Sequence, residues 1–140
     1  ISYRCPAGPR APSAAGPGPI ERSLLETGRA EVYDIYFDFN SDRIRRQSEP
    51  TLREIAELLG RHPDWRLGIE GHTDSIAGDR FNLELSSRRA AAVAAALTGR
   101  HGIAAGRLTA SGAGESRPRD RNDTPEGRAR NRRVELIRLP

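Results

Sequence analysis

Hydrophobic positions along this chain recur with two periods, one near 2 and one near 3.6 residues, which are those of strands and helices. The stretch 31–39 holds Val32, Tyr33, Ile35, Tyr36, Phe37 and Phe39, β-branched or aromatic residues that predict a strand. Asn40-Ser41-Asp42 breaks it. A helix is predicted over 49–61, where Pro50 suits a first turn and Leu52, Ile55, Ala56 and Leu59 fall at i, i+3, i+4 and i+7. Pro63 stops it. Trp65, Leu67 and Ile69 alternate through a second strand over 65–70. A loop over 71–79 leads into a long helix over 80–100, with Gly99 and Gly102 as its stop signals. Residues 103–108 lead into a third strand, 108–112, and a polar loop, 115–123, follows. A short helix is predicted over 124–130, with Thr124 as N-cap and Pro125 in its first position, and a last strand over 134–139. The order β-α-β-α-β-(short helix)-β points to an α/β (α+β) sandwich, a mixed sheet with helices packed on one face.

The first 30 residues carry no such periodicity. Residues 1–20 are rich in Pro, Gly, Ala and Ser and cannot bury enough surface to fold alone. Residues 21–30 are given no element of their own. The expected organisation is a flexible linker or tail over 1–30 and one domain over 31–140.

Composition adds bounds. With 36% hydrophobic and 30% charged residues, 140 residues suffice for one domain with a core. No apolar run approaches the roughly 20 residues that span a bilayer. The chain contains no Met and shows no secretory signal, which leads us to expect a mature or excised fragment. All 23 basic residues are Arg, a bias read first as base composition of the gene. The net charge of +4 suits an anionic partner, although 19 acids are interleaved with the arginines. Cys5, the single cysteine, cannot form an internal disulfide and reads as an incidental thiol in the tail.

On a helical wheel, Leu85, Arg89, Ala92, Val93 and Ala96 share one face of the long helix. Arg89 therefore sits inside the apolar stripe, where a charge needs a partner. Arg88 lies nearer the edge and can reach solvent. Asp74 falls just beyond the second strand, in a loop that returns to the helix carrying Arg89. Ligand sites in such folds gather beyond strand ends. Two readings stand on residue types alone: a structural Asp74–Arg89 salt bridge, or two anchors for the ammonium and carboxylate of a zwitterion.

Gly71-His72-Thr73-Asp74, Phe81-Asn82, Leu85-Ser86 and Arg88-Arg89-Ala90 occur together with an upstream Phe37-Asp38-Phe39-Asn40. A terminal Gly127-Arg128-Ala129-Arg130-Asn131-Arg132-Arg133-Val134 completes the set. In that order they resemble the OmpA-like peptidoglycan-binding domain of bacterial envelope proteins, over roughly 31–139. The family includes OmpA, the peptidoglycan-associated lipoprotein and the motor stator B protein. The resemblance implies non-covalent binding of peptidoglycan through the diaminopimelate of its stem peptide. Asp74 would hold the ligand ammonium and Arg89 its carboxylate, a role suited to a planar, two-pronged guanidinium. It further implies a periplasmic, cell-envelope location, tethering an outer-membrane or otherwise membrane-anchored parent protein to the cell wall. Asn40, Thr73, Asn82 and Arg132 match pocket positions. For Asn40 and Asn82 a turn or cap role is the alternative, for Thr73 a loop cap, and for Arg132 a surface position on an edge strand. Family loops often carry Gly three residues after the acid, whereas this chain has Ala77 followed by Gly78. The resemblance implies no catalysis, cofactor or metal.

Two other functional classes fit the residues less well. For an enzyme, His62, His72 and His101 lack metal-ligand spacing, and His72 reads as a loop hydrogen-bonder. Ser111, in Ala110-Ser111-Gly112-Ala113-Gly114, lacks the nucleophile-elbow pattern, and the glycines there form no phosphate loop. For a nucleic-acid or protein-interaction module, residues 117–133 hold seven arginines against three acids. The 5% aromatic content offers no stacking platform, since the aromatics lie in strands expected to be core. The runs Ala90-Ala91-Ala92 and Ala94-Ala95-Ala96 favour helix and close packing on a sheet, and also offer a face for a homodimer.

Overall fold

The computed structural model describes residues 18–38, 41–73, 79–114, 122 and 124–139. Among them the elements run α1 (Pro19–Glu26), β1 (Arg29–Val32), α2 (Glu49–Arg61), β2 (Arg66–His72), α3 (Asp79–His101), β3 (Leu108–Gly114), α4 (Pro125–Asn131) and β4 (Arg133–Leu139). Short 3-10 turns precede α2 at Arg46–Ser48 and β3 at Ala105–Arg107. The described strands form one sheet in the order β1-β4-β2-β3. β4 is antiparallel to β1 and β2, and β2 is parallel to β3 through the α3 crossover. This is the mixed α/β architecture expected from the patterning. No helix among the described residues is long and apolar enough to cross a membrane.

The core lies between one sheet face and the helices. Leu67 and Ile69 of β2, Ala30 and Val32 of β1, and Val134 and Leu136 of β4 meet Leu52, Ile55, Leu58 and Leu59 of α2. Ala90, Val93 and Leu97 of α3 close it. Two glycines let α3 sit unusually near the sheet. A Cβ on Gly71 would overlap the carbonyl oxygen of Ser86, and one on Gly112 would overlap the amide nitrogen of Ser87.

Two expectations need correction. The strand placed over 31–39 ends at Val32, because its partner β4 begins at Arg133 and Val32 already pairs with Val134. Beyond it Tyr33 and Tyr36 are 40% and 43% exposed, so these aromatics are not core. The segment 21–30, given no element, instead forms most of α1 and the opening of β1. Ile20 and Leu24, one turn apart, face the core, and Leu24 is fully buried. Glu21 on the same helix is clamped by Arg61 and His62, each at 2.6 Å. The Arg61 hydrogen bond, with help from His62, holds the Glu21 carboxyl below its usual range despite burial.

Candidate functional site

The C-terminal ends of β1, β2 and β3 and the start of β4 lie at one end of the sheet, as their registers require. The α3 N-terminus returns to that end. Thr73, the first residue beyond β2, is buried, and its N–H donates to the Gly114 carbonyl at the end of β3 (2.8 Å). The Gly114 N–H in turn donates to the hydroxyl of Ser86 on α3 (2.9 Å), which donates to the Leu83 carbonyl (2.9 Å). Gly114 adopts φ +57°, a conformation that favours glycine, and packs against the backbone of Asn82 and Leu83. Asn82 is 3% exposed. Thr73 and Asn82 are thus brought together around Gly114, with Ser86 as the hub. Neither Gly114 nor Ser86 was singled out for this by its spacing, because the bond joins residues 28 apart.

Arg89 lies two turns further along α3 and is half-buried. Its Nε donates to the Ser41 carbonyl (2.8 Å) and its Nη2 to the Asp38 carbonyl (3.3 Å). The guanidinium carbon stands 4.8 Å from the centre of the Phe37 ring. Residues 36–38 and 43–45 run antiparallel to one another and present these groups. Phe37 bridges to Ile44, the Asp38 N–H donates to the Arg43 carbonyl (3.0 Å), and the Arg45 N–H donates to the Tyr36 carbonyl (2.8 Å). The base of this pair is pinned by the buried Ser48 hydroxyl, which accepts from the Tyr36 N–H (2.7 Å) and donates to the Tyr36 carbonyl (3.1 Å). Arg88 is half-exposed, 4.0 Å from Asp42. The two neighbouring arginines are separated as the wheel predicted.

Arg132 is exposed at the α4–β4 junction, at the same end of the sheet, since Arg133 pairs in register with His72. α4 begins as expected, with the Thr124 hydroxyl accepting from the Gly127 N–H (3.0 Å). Asn40 and Asp74 lie outside the described residues.

On the sheet face away from the core, β2 and β4 carry a buried ionic cluster that the sequence reading did not find. The His72 Nε2–H donates to Glu70 (2.8 Å), Arg133 pairs with Glu135 (2.6 Å), and Arg29 pairs with Glu135 and, at 3.4 Å, with Glu70. His72 ends β2 and is no loop residue, which corrects that expectation. Burial, reinforced by the Arg133 charge, pushes the His72 pKa down. Burial raises that of Glu135, but hydrogen bonds from Arg29 and Arg133 outweigh it and hold the carboxyl low. Glu70, His72 and Glu135 place one potential metal-ligand atom each within 4.8 Å of one another. Two guanidinium groups already neutralise the two carboxylates, so an added cation would meet two positive charges. A metal ion does not fit these residues.

Residues 36–132 match the model of the OmpA family. The chain is 43% identical over 113 residues to the outer membrane porin F of Pseudomonas aeruginosa, covering 81% of this chain and 32% of that protein. It thus spans about a third of the length of that curated relative. Among solved structures, the peptidoglycan-associated lipoprotein of Burkholderia pseudomallei superposes with a TM-score of 0.68 at 31% identity, over 75% of this chain and 88% of that one. The cell wall anchor of the T6SS from Pseudomonas aeruginosa gives a TM-score of 0.67 at 33% identity, over 89% of this chain and 99% of that one. The family match covers more than half of the chain, and the relatives agree with it: the chain belongs to the OmpA family.

Proposed function

We propose that this domain binds peptidoglycan without catalysis, gripping the diaminopimelate of the stem peptide, and so ties an envelope protein to the cell wall. The observation that carries the reading is the setting of Arg89, a half-buried cation on α3 oriented by Phe37, Asp38 and Ser41. Two similar proteins point the same way by their descriptions, one peptidoglycan-associated and one a cell wall anchor. Arg89 takes the ligand carboxylate and Asp74 its ammonium. Asn40, Thr73, Asn82 and Arg132 line the pocket. Each charge-assisted hydrogen bond contributes roughly 1.5–3 kcal/mol, and many ligand copies on one polymer strengthen a weak single contact. Such a domain works in the periplasm, with the remainder of its parent protein supplying the membrane anchor. The arginine-rich stretch 117–133 is less suited to nucleic acid than its composition suggests, because Arg133 is buried and spent on Glu135.

The test is a titration with meso-diaminopimelate, read by amide chemical shifts, alongside a pull-down with purified sacculi. Shifts should cluster at Thr73, Asp74, Asn82 and Arg89. Asp74→Ala and Arg89→Ala should each weaken sacculus binding by at least about tenfold while leaving a cooperatively folded domain. Two well-folded single variants that still bind normally would sink the assignment.

A further inference from the structure

We infer that Phe37 is a positioning residue for the Arg89 guanidinium, and that with the Asp38 and Ser41 carbonyls it sets the plane in which that group meets a carboxylate. The inference rests on the peptidoglycan reading and goes beyond it by assigning a role to a residue that need not touch the ligand. A free arginine side chain turns about several bonds, and a two-pronged contact with a carboxylate requires one plane. Here groups from Phe37, Asp38 and Ser41 restrict it. The Ser41 carbonyl accepts from Nε at 2.8 Å, the Asp38 carbonyl accepts from Nη2 at 3.3 Å, and the Phe37 ring lies 4.8 Å below the guanidinium carbon. The ring's negative face attracts the cation without using any of its N–H donors. Phe37 is itself fixed: it is half-buried, packs against the core and bridges to Ile44. The rigid core is thereby connected, through one aromatic ring, to the orientation of the binding cation.

The chemistry separates this role from simple packing. Phe37→Leu keeps an apolar side chain against the core and removes the π face, whereas Phe37→Tyr keeps the ring. The experiment compares wild type, Phe37→Leu and Phe37→Tyr with a diaminopimelate-containing muropeptide, and records the Arg89 Nε–Hε resonance without ligand. The expected result is a ring-current shift of the Arg89 resonance in wild type and Phe37→Tyr that is lost in Phe37→Leu. Affinity should fall roughly 3- to 30-fold in Phe37→Leu and stay near wild type in Phe37→Tyr. Equal affinity of Phe37→Leu and wild type would overturn the inference and leave the peptidoglycan reading standing. Wild-type protein that shows the ring-current shift but binds no muropeptide would overturn the peptidoglycan reading, and the positioning role with it.

Discussion

Arg88 and Arg89 are adjacent in the chain yet differ in surroundings, and the difference comes from their angle on α3. The same logic applies across β2, where Leu67, Ile69 and Gly71 face the helices and Glu70 and His72 face the other side. The alternation of Trp65, Leu67 and Ile69 was legible, but the strand was ended at residue 70 and His72 was placed in the loop. The burial of Glu70 and His72 was not legible, because it depends on Arg29 and Arg133 arriving from other strands. The cluster makes stability depend on pH. His72 has a depressed pKa in the folded state, so below the ordinary imidazole range, about pH 6.5, the unfolded chain binds the proton more readily. Stability is therefore full above that range and declines as the pH falls through it. Glu135, also depressed, adds a second loss at lower pH, as the pH falls through its folded-state pKa. The groups facing the imidazole are Glu70, Glu135 and Arg133. The urea midpoint of wild type should drop between pH 7.5 and 5.5, and that of His72→Gln should drop less. An identical slope in the variant would show that His72 is not the titrating group.

At the scale of elements, α2, α3 and α4 were legible almost to the residue, since helical period and start signals are local properties. The first strand was overextended because aromatic and β-branched content records propensity, whereas its end is set by the partner strand. Distant caps were also beyond reach. Arg107, in a stretch given no element, donates to the carbonyls of Leu59 (3.0 Å), His62 (2.8 Å) and Trp65 (3.0 Å), and so satisfies the C-terminus of α2 from a different part of the chain. The candidate site divides the same way. Its arginine and loop positions were legible as motif residues, but the Gly114–Ser86 hub, built by tertiary contact, was not. The close approach of α3 to the sheet can be tested through glycines in contrasting settings. Gly71→Ala or Gly112→Ala forces a methyl group into the α3 backbone and should cost about 1–3 kcal/mol. Gly60→Ala, in α2 with open space around it, should stabilise by up to about 1 kcal/mol. Thermal or urea unfolding reads both, and a neutral Gly71→Ala would mean that α3 yields easily.

For the molecule as a whole, the two ends of the sheet carry different groups. One end carries Thr73, Asn82 and Arg132, with Arg89 two turns along α3 from Asn82. The other receives α1, because β1 starts opposite the far part of β4 and Glu21 is held at the C-terminus of α2. α1 is an integral layer of the fold, and its Leu24 anchor should contribute as a core residue does. Leu24→Ala should destabilise by roughly 2–5 kcal/mol, since the side chain is fully buried and leaves a cavity. Leu25→Ala, one residue on but 46% exposed, should change stability by no more than about 0.5 kcal/mol. The site is remote from both, so at a temperature where each variant is folded, affinity for a muropeptide should match wild type. Equal stability of the two variants would show that α1 does not dock as described. Lost affinity in folded Leu24→Ala would show instead that the two ends are coupled through the sheet, so that seating of α1 would set the strength of cell-wall attachment.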